Sequence, residues 1–177
     1  MKPDRHQARI LAMQALCQLD VQGEGAFADT EAFLAEGDRC VQDRDSSVPH
    51  KSPERTGVNE RTCPLPQADE DTRRYARTLV ESAWERRDRF RERIQTAGSA
   101  WDIERMDLVD RNVIRVALAE LSLGEVPPKV VLNEAIEIAR EFGSAESPGF
   151  VNGVLDHVYQ CMRKETENGK WKMENGE

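Results

Sequence analysis

Apolar residues recur at three- and four-residue steps along most of this chain and nowhere alternate one by one. That spacing lays them along one side of an α-helix, whereas a half-buried strand needs a period of two. The constraint is sharpest towards the C-terminus. Leu108, Val109, Val113, Ile114, Val116, Ala117, Leu118 and Leu121 cover more than one helix face, so this helix is expected to be central and buried on several sides. Asp107 stands ready as its N-cap, Gly124 closes it, and Val126-Pro127-Pro128 enforces a turn. A next helix runs through Asn133, Ala135, Ile136, Ile138, Ala139 and Phe142 and is capped by Gly143. Ser147-Pro148 then opens a last helix carrying Phe150, Val151, Val154, Leu155, Val158 and Met162. The fold class is all-α.

The N-terminal half repeats the helical pattern with an interruption. Residues 5 to about 35 read as helical, with Ile10, Met13, Leu16 and Cys17 at helical steps after a Pro3-Asp4 start. A short second helix follows Asp29-Thr30 through Ala32, Phe33 and Ala35. From about 37 to 69 the pattern dissolves into prolines, serines and mixed charges with few large apolar residues. Such a stretch buries too little surface to offset its ordering entropy, so it reads as a disordered insertion. From Asp71 one long helix is expected to run to Gly98-Ser99, with Ala76, Leu79, Val80, Ala83, Phe90 and Ile94 as its stripe. The polar tail begins near residue 166.

Charge and composition exclude several classes. No apolar run reaches the ~20 residues that a spanning helix needs, and the N-terminus lacks the continuous apolar core of a signal peptide. A cytoplasmic location is expected. The net charge of −8 disfavours a general nucleic-acid coat, because phosphate binding needs cations, though a local patch can differ from the average. The four cysteines, Cys17, Cys40, Cys63 and Cys161, have no zinc-site spacing, so neither a metal nor a cofactor is expected. His6, His50 and His157 sit in no nucleophile motif, there is no glycine-rich phosphate loop, and no catalytic residue is assigned.

Arginines are more informative. Residues 73–93 hold eight arginines against four carboxylates, which a solvated helix face explains as well as a binding face does. The first helix opens Arg5-His6-Gln7-Ala8-Arg9, with both arginines expected on the exposed side, away from Ile10 and Met13. A guanidinium is a planar multidentate donor suited to phosphate, and a helix N-terminus adds positive potential. In Phe150-Val151-Asn152-Gly153, Phe150 is either a core residue or a surface on which an unpaired base stacks. Gly153 costs about 1 kcal/mol relative to Ala inside a helix, so close helix packing is expected to require it.

The run Pro128-Lys129-Val130-Val131-Leu132-Asn133-Glu134-Ala135-Ile136-Glu137-Ile138-Ala139-Arg140-Glu141-Phe142-Gly143, followed by Phe150-Val151-Asn152-Gly153-Val154-Leu155-Asp156, resembles the signature of the NusB transcription antitermination factors. The segments from Asp110 to Leu121 and from Arg9 to Leu16 fit the same family. The resemblance implies a compact bundle of two small helical subdomains, here 1–97 and 98–165. It implies a non-enzymatic protein that binds boxA RNA of ribosomal RNA operons together with the small-subunit ribosomal protein NusE. The pair joins the RNA polymerase elongation complex with other Nus factors. Arg5, His6, Gln7, Arg9 and Phe150 are the RNA-contact candidates, with His6 and Gln7 standing where arginines are common in the family. Two other readings remain: the helical RNA-binding module of a ribosomal RNA methyltransferase, which needs a methyltransferase domain after Glu177, and a protein-interaction module without RNA contact.

Overall fold

A computed structural model of the protein describes residues 3–23, 25, 34, 68–98 and 103–167. Its helices include α1 (Arg5–Gln22), α2 (Glu70–Glu85), α3 (Arg87–Ala97), α4 (Leu108–Leu123), α5 (Pro128–Phe142) and α6 (Ser147–Glu167), and a 3-10 turn (Ile103–Arg105) precedes α4. No strand occurs among the described residues, and the all-α expectation is met. The insertion read at 37–69 and the short helix after Asp29-Thr30 lie almost wholly outside the described residues, as does most of the polar tail.

Local chemistry sets the helix ends. The Asp4 carboxylate accepts the Gln7 amide at 3.1 Å and so caps α1. Gly23, at φ +82°, stops that helix well short of residue 35, in a conformation that favours glycine. Asp69 caps α2 by accepting the Thr72 amide at 2.7 Å. The Thr72 hydroxyl in turn accepts the Asp4 amide at 2.9 Å, which ties the starts of α1 and α2 together.

The long helix expected from Asp71 is two helices. At Arg86 the backbone turns to φ −100°, ψ 12°, and the amide reaches the Ser82 carbonyl at 3.3 Å. No glycine or proline marks the place, so nothing in the local sequence announces the bend. Its consequence is in the packing. Ala76, Leu79, Val80 and Ala83 line the buried side of α2, which lies on α1 and α4, whereas α3 follows α6 and buries Phe90 and Ile94. Arg87 covers the Trp84 ring at 4.8 Å on the outer side of the bend.

Helix α4 is the axle of the bundle. It packs on α1, α2, α3, α5 and α6, and every residue from Asn112 to Glu120 is buried. Asp107 occupies its N-cap position but makes no side-chain capping bond, and Gly124, at φ +70°, ends it. Between α5 and α6 the chain comes very close to itself. A Cβ on Gly143 would lie 2.5 Å from Ser147 Oγ and 2.7 Å from the Ala139 carbonyl oxygen. Ser147 Oγ accepts the Ser144 amide at 2.9 Å, so this hydroxyl faces back into the loop.

Gly153 is a correction. A Cβ there would meet nothing within 4 Å, so close helix packing is not what requires it. The two glycines should therefore respond oppositely to alanine. Gly143→Ala is expected to cost about 1–3 kcal/mol through overpacking, and Gly153→Ala to stabilise by about 0.5–1 kcal/mol by lowering unfolded-state entropy. Urea unfolding followed by circular dichroism reads both, and changes of the same sign would contradict the geometry.

Candidate nucleic-acid interface

The first turn of α1 was expected to present two arginines to solvent, and it presents one. Arg9 is only 4% exposed. The reason is helical geometry: positions four apart share a face, so Arg9 lies above Met13 on the inward stripe. Together with Met13 it lines a small cavity against Val113, Val116 and Glu120 of α4 and Val131 of α5.

A charge placed there needs a partner, and α4 supplies it. Arg9 Nε donates to Glu120 Oε2 at 2.7 Å and Nη2 donates to Oε1 at 2.8 Å, a bidentate pair in which Glu120 is fully buried. The Tyr75 hydroxyl of α2 donates to Glu120 Oε1 at 2.6 Å. Arg9 Nη1 reaches Glu134 Oε2 of α5 at 3.1 Å. The Arg9–Glu120 pair thus joins four helices. Burial, and then the hydrogen bond to Glu120, push the Tyr75 phenol well above the usual tyrosine range. A second network anchors the other end of α1. Asp20 accepts from Arg111 Nε at 3.0 Å, Asn112 Nδ2 at 3.0 Å and Arg115 Nη1 at 2.8 Å.

Outside this frame lies a thinner polar edge. Arg5 stacks over the Tyr75 ring at 5.0 Å and keeps 39% of its side chain exposed, with the exposed Glu125 at 3.7 Å. His6 Nδ1 lies 2.7 Å from Glu134 Oε2 and is also exposed, and Gln7 is half-buried. Arg5 and His6 lie at the exposed start of α1, with Gln7 in the same turn. Phe150 is not part of it. It is half-buried against the core in a cleft shared with Asp110, at the start of α4. Asp110 and Glu120 are ten residues apart on that helix, about 15 Å at 1.5 Å per residue.

Glu120, Tyr75 and Glu134 escaped the sequence reading. A signal was present for Glu120: a lone carboxylate within a run of residues expected to be buried implies a cationic partner.

The profile of the NusB family matches residues 6–160. The chain belongs to the NusB family. Curated relatives agree over nearly the full length. The transcription antitermination protein NusB of Desulfitobacterium hafniense is 32% identical over 166 residues, spanning 93% of this chain and 94% of that protein. That of Symbiobacterium thermophilum is 34% identical over 160 residues, or 90% and 91%. The alignment with the Syntrophus aciditrophicus NusB is tighter and shorter, 38% over 102 residues, and spans 57% of this chain and 63% of the relative. Among solved structures, T. maritima NusB superposes with a TM-score of 0.64 at 27% identity, covering 90% of this chain and 93% of that one. NusB crystallised with NusE and double-stranded RNA shares the fold at 23% identity, with a TM-score of 0.63 and coverage of 89% and 96%. No described helix is long and apolar enough to cross a membrane.

The NusB bundle of this chain should depend on its buried pair. Arg9→Ala leaves Glu120 charged and buried, and is expected to cost about 3–5 kcal/mol. Chemical denaturation measures it, and a loss below about 1 kcal/mol, the scale of an exposed pair, would contradict the burial of this network.

Proposed function

We propose that this chain is a transcription antitermination factor that binds the boxA RNA of ribosomal RNA operons with the ribosomal protein NusE and joins the elongating RNA polymerase and other Nus factors. The observation that carries the reading is the family match over residues 6–160, combined with an all-α bundle of the same architecture. The NusB–NusE–RNA crystal structure supports the same two partners by analogy of fold. The work is non-catalytic and cytoplasmic: RNA and protein are held together and nothing is turned over. The division into subdomains 1–97 and 98–165 belongs to the same proposal.

Within it, the RNA-contact edge is the first turn of α1. Arg5 is held by the Tyr75 ring with its outer face in solvent, and its contact with exposed Glu125 is of the weak, displaceable kind. His6 and Gln7 flank it at the positive end of the helix. Arg9 is withdrawn from the contact set, because its guanidinium is engaged by Glu120 and Glu134. Its part is indirect: it fixes α1 against α4 and so fixes where Arg5 points. RNA that also stacked on Phe150 would have to extend along α4 to the far end of the bundle.

Arg5→Ala is expected to leave the circular dichroism melt near wild type and to weaken boxA binding. It should also flatten the salt dependence of log K by about one unit or less, the loss of one phosphate contact. Filter binding over a salt series, with scrambled RNA as control, reads this. Unchanged affinity and slope would remove α1 from the RNA surface.

A further inference from the structure

Tyr75 of α2 belongs to two layers of the molecule at once. Its hydroxyl donates to Glu120 Oε1 at 2.6 Å inside the buried network, while its ring lies under Arg5, with the guanidinium carbon 5.0 Å from the ring centroid. Folding accounts for the first contact, because a half-buried tyrosine needs a partner for its hydroxyl and packing for its ring. It does not account for the second. An exposed cation over the ring adds little to a bundle that the core already holds.

Arg5 itself has little else to orient it. Its contact with Glu125 is 3.7 Å long, beyond hydrogen-bond length, and both side chains are exposed. A long side chain held only so samples many rotamers, and ordering it on a ligand costs entropy. A ring beneath it changes that balance, because the ring face attracts the cation and limits where it can lie. The backbone is fixed alongside. The Asp4 amide donates to the buried Thr72 hydroxyl at 2.9 Å, and Thr72 stands three residues before Tyr75 on α2. Positions three apart share a helix face. The residue that ties down Asp4 and the ring that receives Arg5 are therefore successive on one side of α2.

We propose that Tyr75 is a positioning residue for RNA binding: its ring, seated on the core, holds the Arg5 guanidinium in place for a phosphate. The inference rests on the reading of the α1 start as the RNA edge. Tyr75 acts through Arg5 and does not itself touch RNA. The two ends of its side chain carry separable tasks, the hydroxyl serving the fold and the ring serving RNA affinity.

The test is filter binding of boxA RNA to the full chain, at a temperature below every variant's melting transition, with melting followed by circular dichroism. Tyr75→Leu removes the ring and should weaken binding about two- to fivefold, the scale of an exposed cation–ring contact. Tyr75→Phe restores the ring without the hydroxyl. It should melt lower than wild type, having lost a buried hydrogen bond, yet recover most of the affinity that Tyr75→Leu loses. In an Arg5→Ala background, Tyr75→Leu should have no further effect on affinity. A purely structural role predicts instead that affinity follows melting temperature, so that Tyr75→Phe binds as poorly as Tyr75→Leu, or that Tyr75→Leu weakens the Arg5→Ala variant equally. Either result would overturn the proposal. Arg5→Ala weakened with Tyr75→Leu at wild-type affinity overturns it alone; Arg5→Ala at wild-type affinity removes the RNA edge and this inference with it. Proton–carbon NMR of the free wild-type chain reads the contact even where Tyr75→Leu does not fold. Arg5 δ-proton signals moved upfield by the ring are expected in wild type and in Tyr75→Phe, and unshifted signals in wild type contradict the proposal.

Discussion

A single buried ion pair fixes how the bundle is assembled. Arg9 and Glu120 meet where α1 crosses the central helix, in a setting too dry for either charge alone. Once they are paired, the rest of the neighbourhood is determined. Tyr75 must bring α2 within hydrogen-bond reach of Glu120, and Glu134 must bring α5 to the free end of the guanidinium. Apolar packing alone tolerates sliding of one helix on another; a four-partner polar network with bond lengths from 2.6 to 3.1 Å does not. The pair therefore contributes geometry as much as stability.

That geometry governs function through position. Arg5 is one turn before Arg9 on the same helix, and its place over the Tyr75 ring follows from the network beneath it. The candidate RNA edge is thus the outer layer of a structure whose inner layer is rigid. Two arginines of one sequence motif have opposite roles because one faces a carboxylate in the core and the other an aromatic ring at the surface.

The sequence made the helical architecture legible, down to particular residues. Apolar residues on several faces of 108–121 foretold a central helix, and Gly124 and Pro127-Pro128 marked its end where the chain does turn. Three features were not legible for physical reasons. The bend at Arg86 comes from where α2 and α3 must pack, and no breaker residue records it. Arg9 looked exposed because arginine usually is, although its four-residue spacing from Met13 already put it on the inward stripe. Gly153 looked like a packing glycine, yet it lies open on α6, and only the three-dimensional neighbourhood reveals that.

The account's central claim is that Arg9 and Glu120 act as one unit, and a double-mutant cycle tests it most directly. Arg9→Met, Glu120→Met and the double variant are to be compared by urea unfolding. Arg9→Met leaves Glu120 buried without its cation and should cost about 3–5 kcal/mol, Glu120→Met leaves Arg9 only Glu134 at 3.1 Å and should cost less, and the double, which removes both charges, should cost far less than the sum of the two. A coupling of at least about 2 kcal/mol is the predicted result. Additive losses would mean that the two residues stabilise the bundle independently, and would contradict the account.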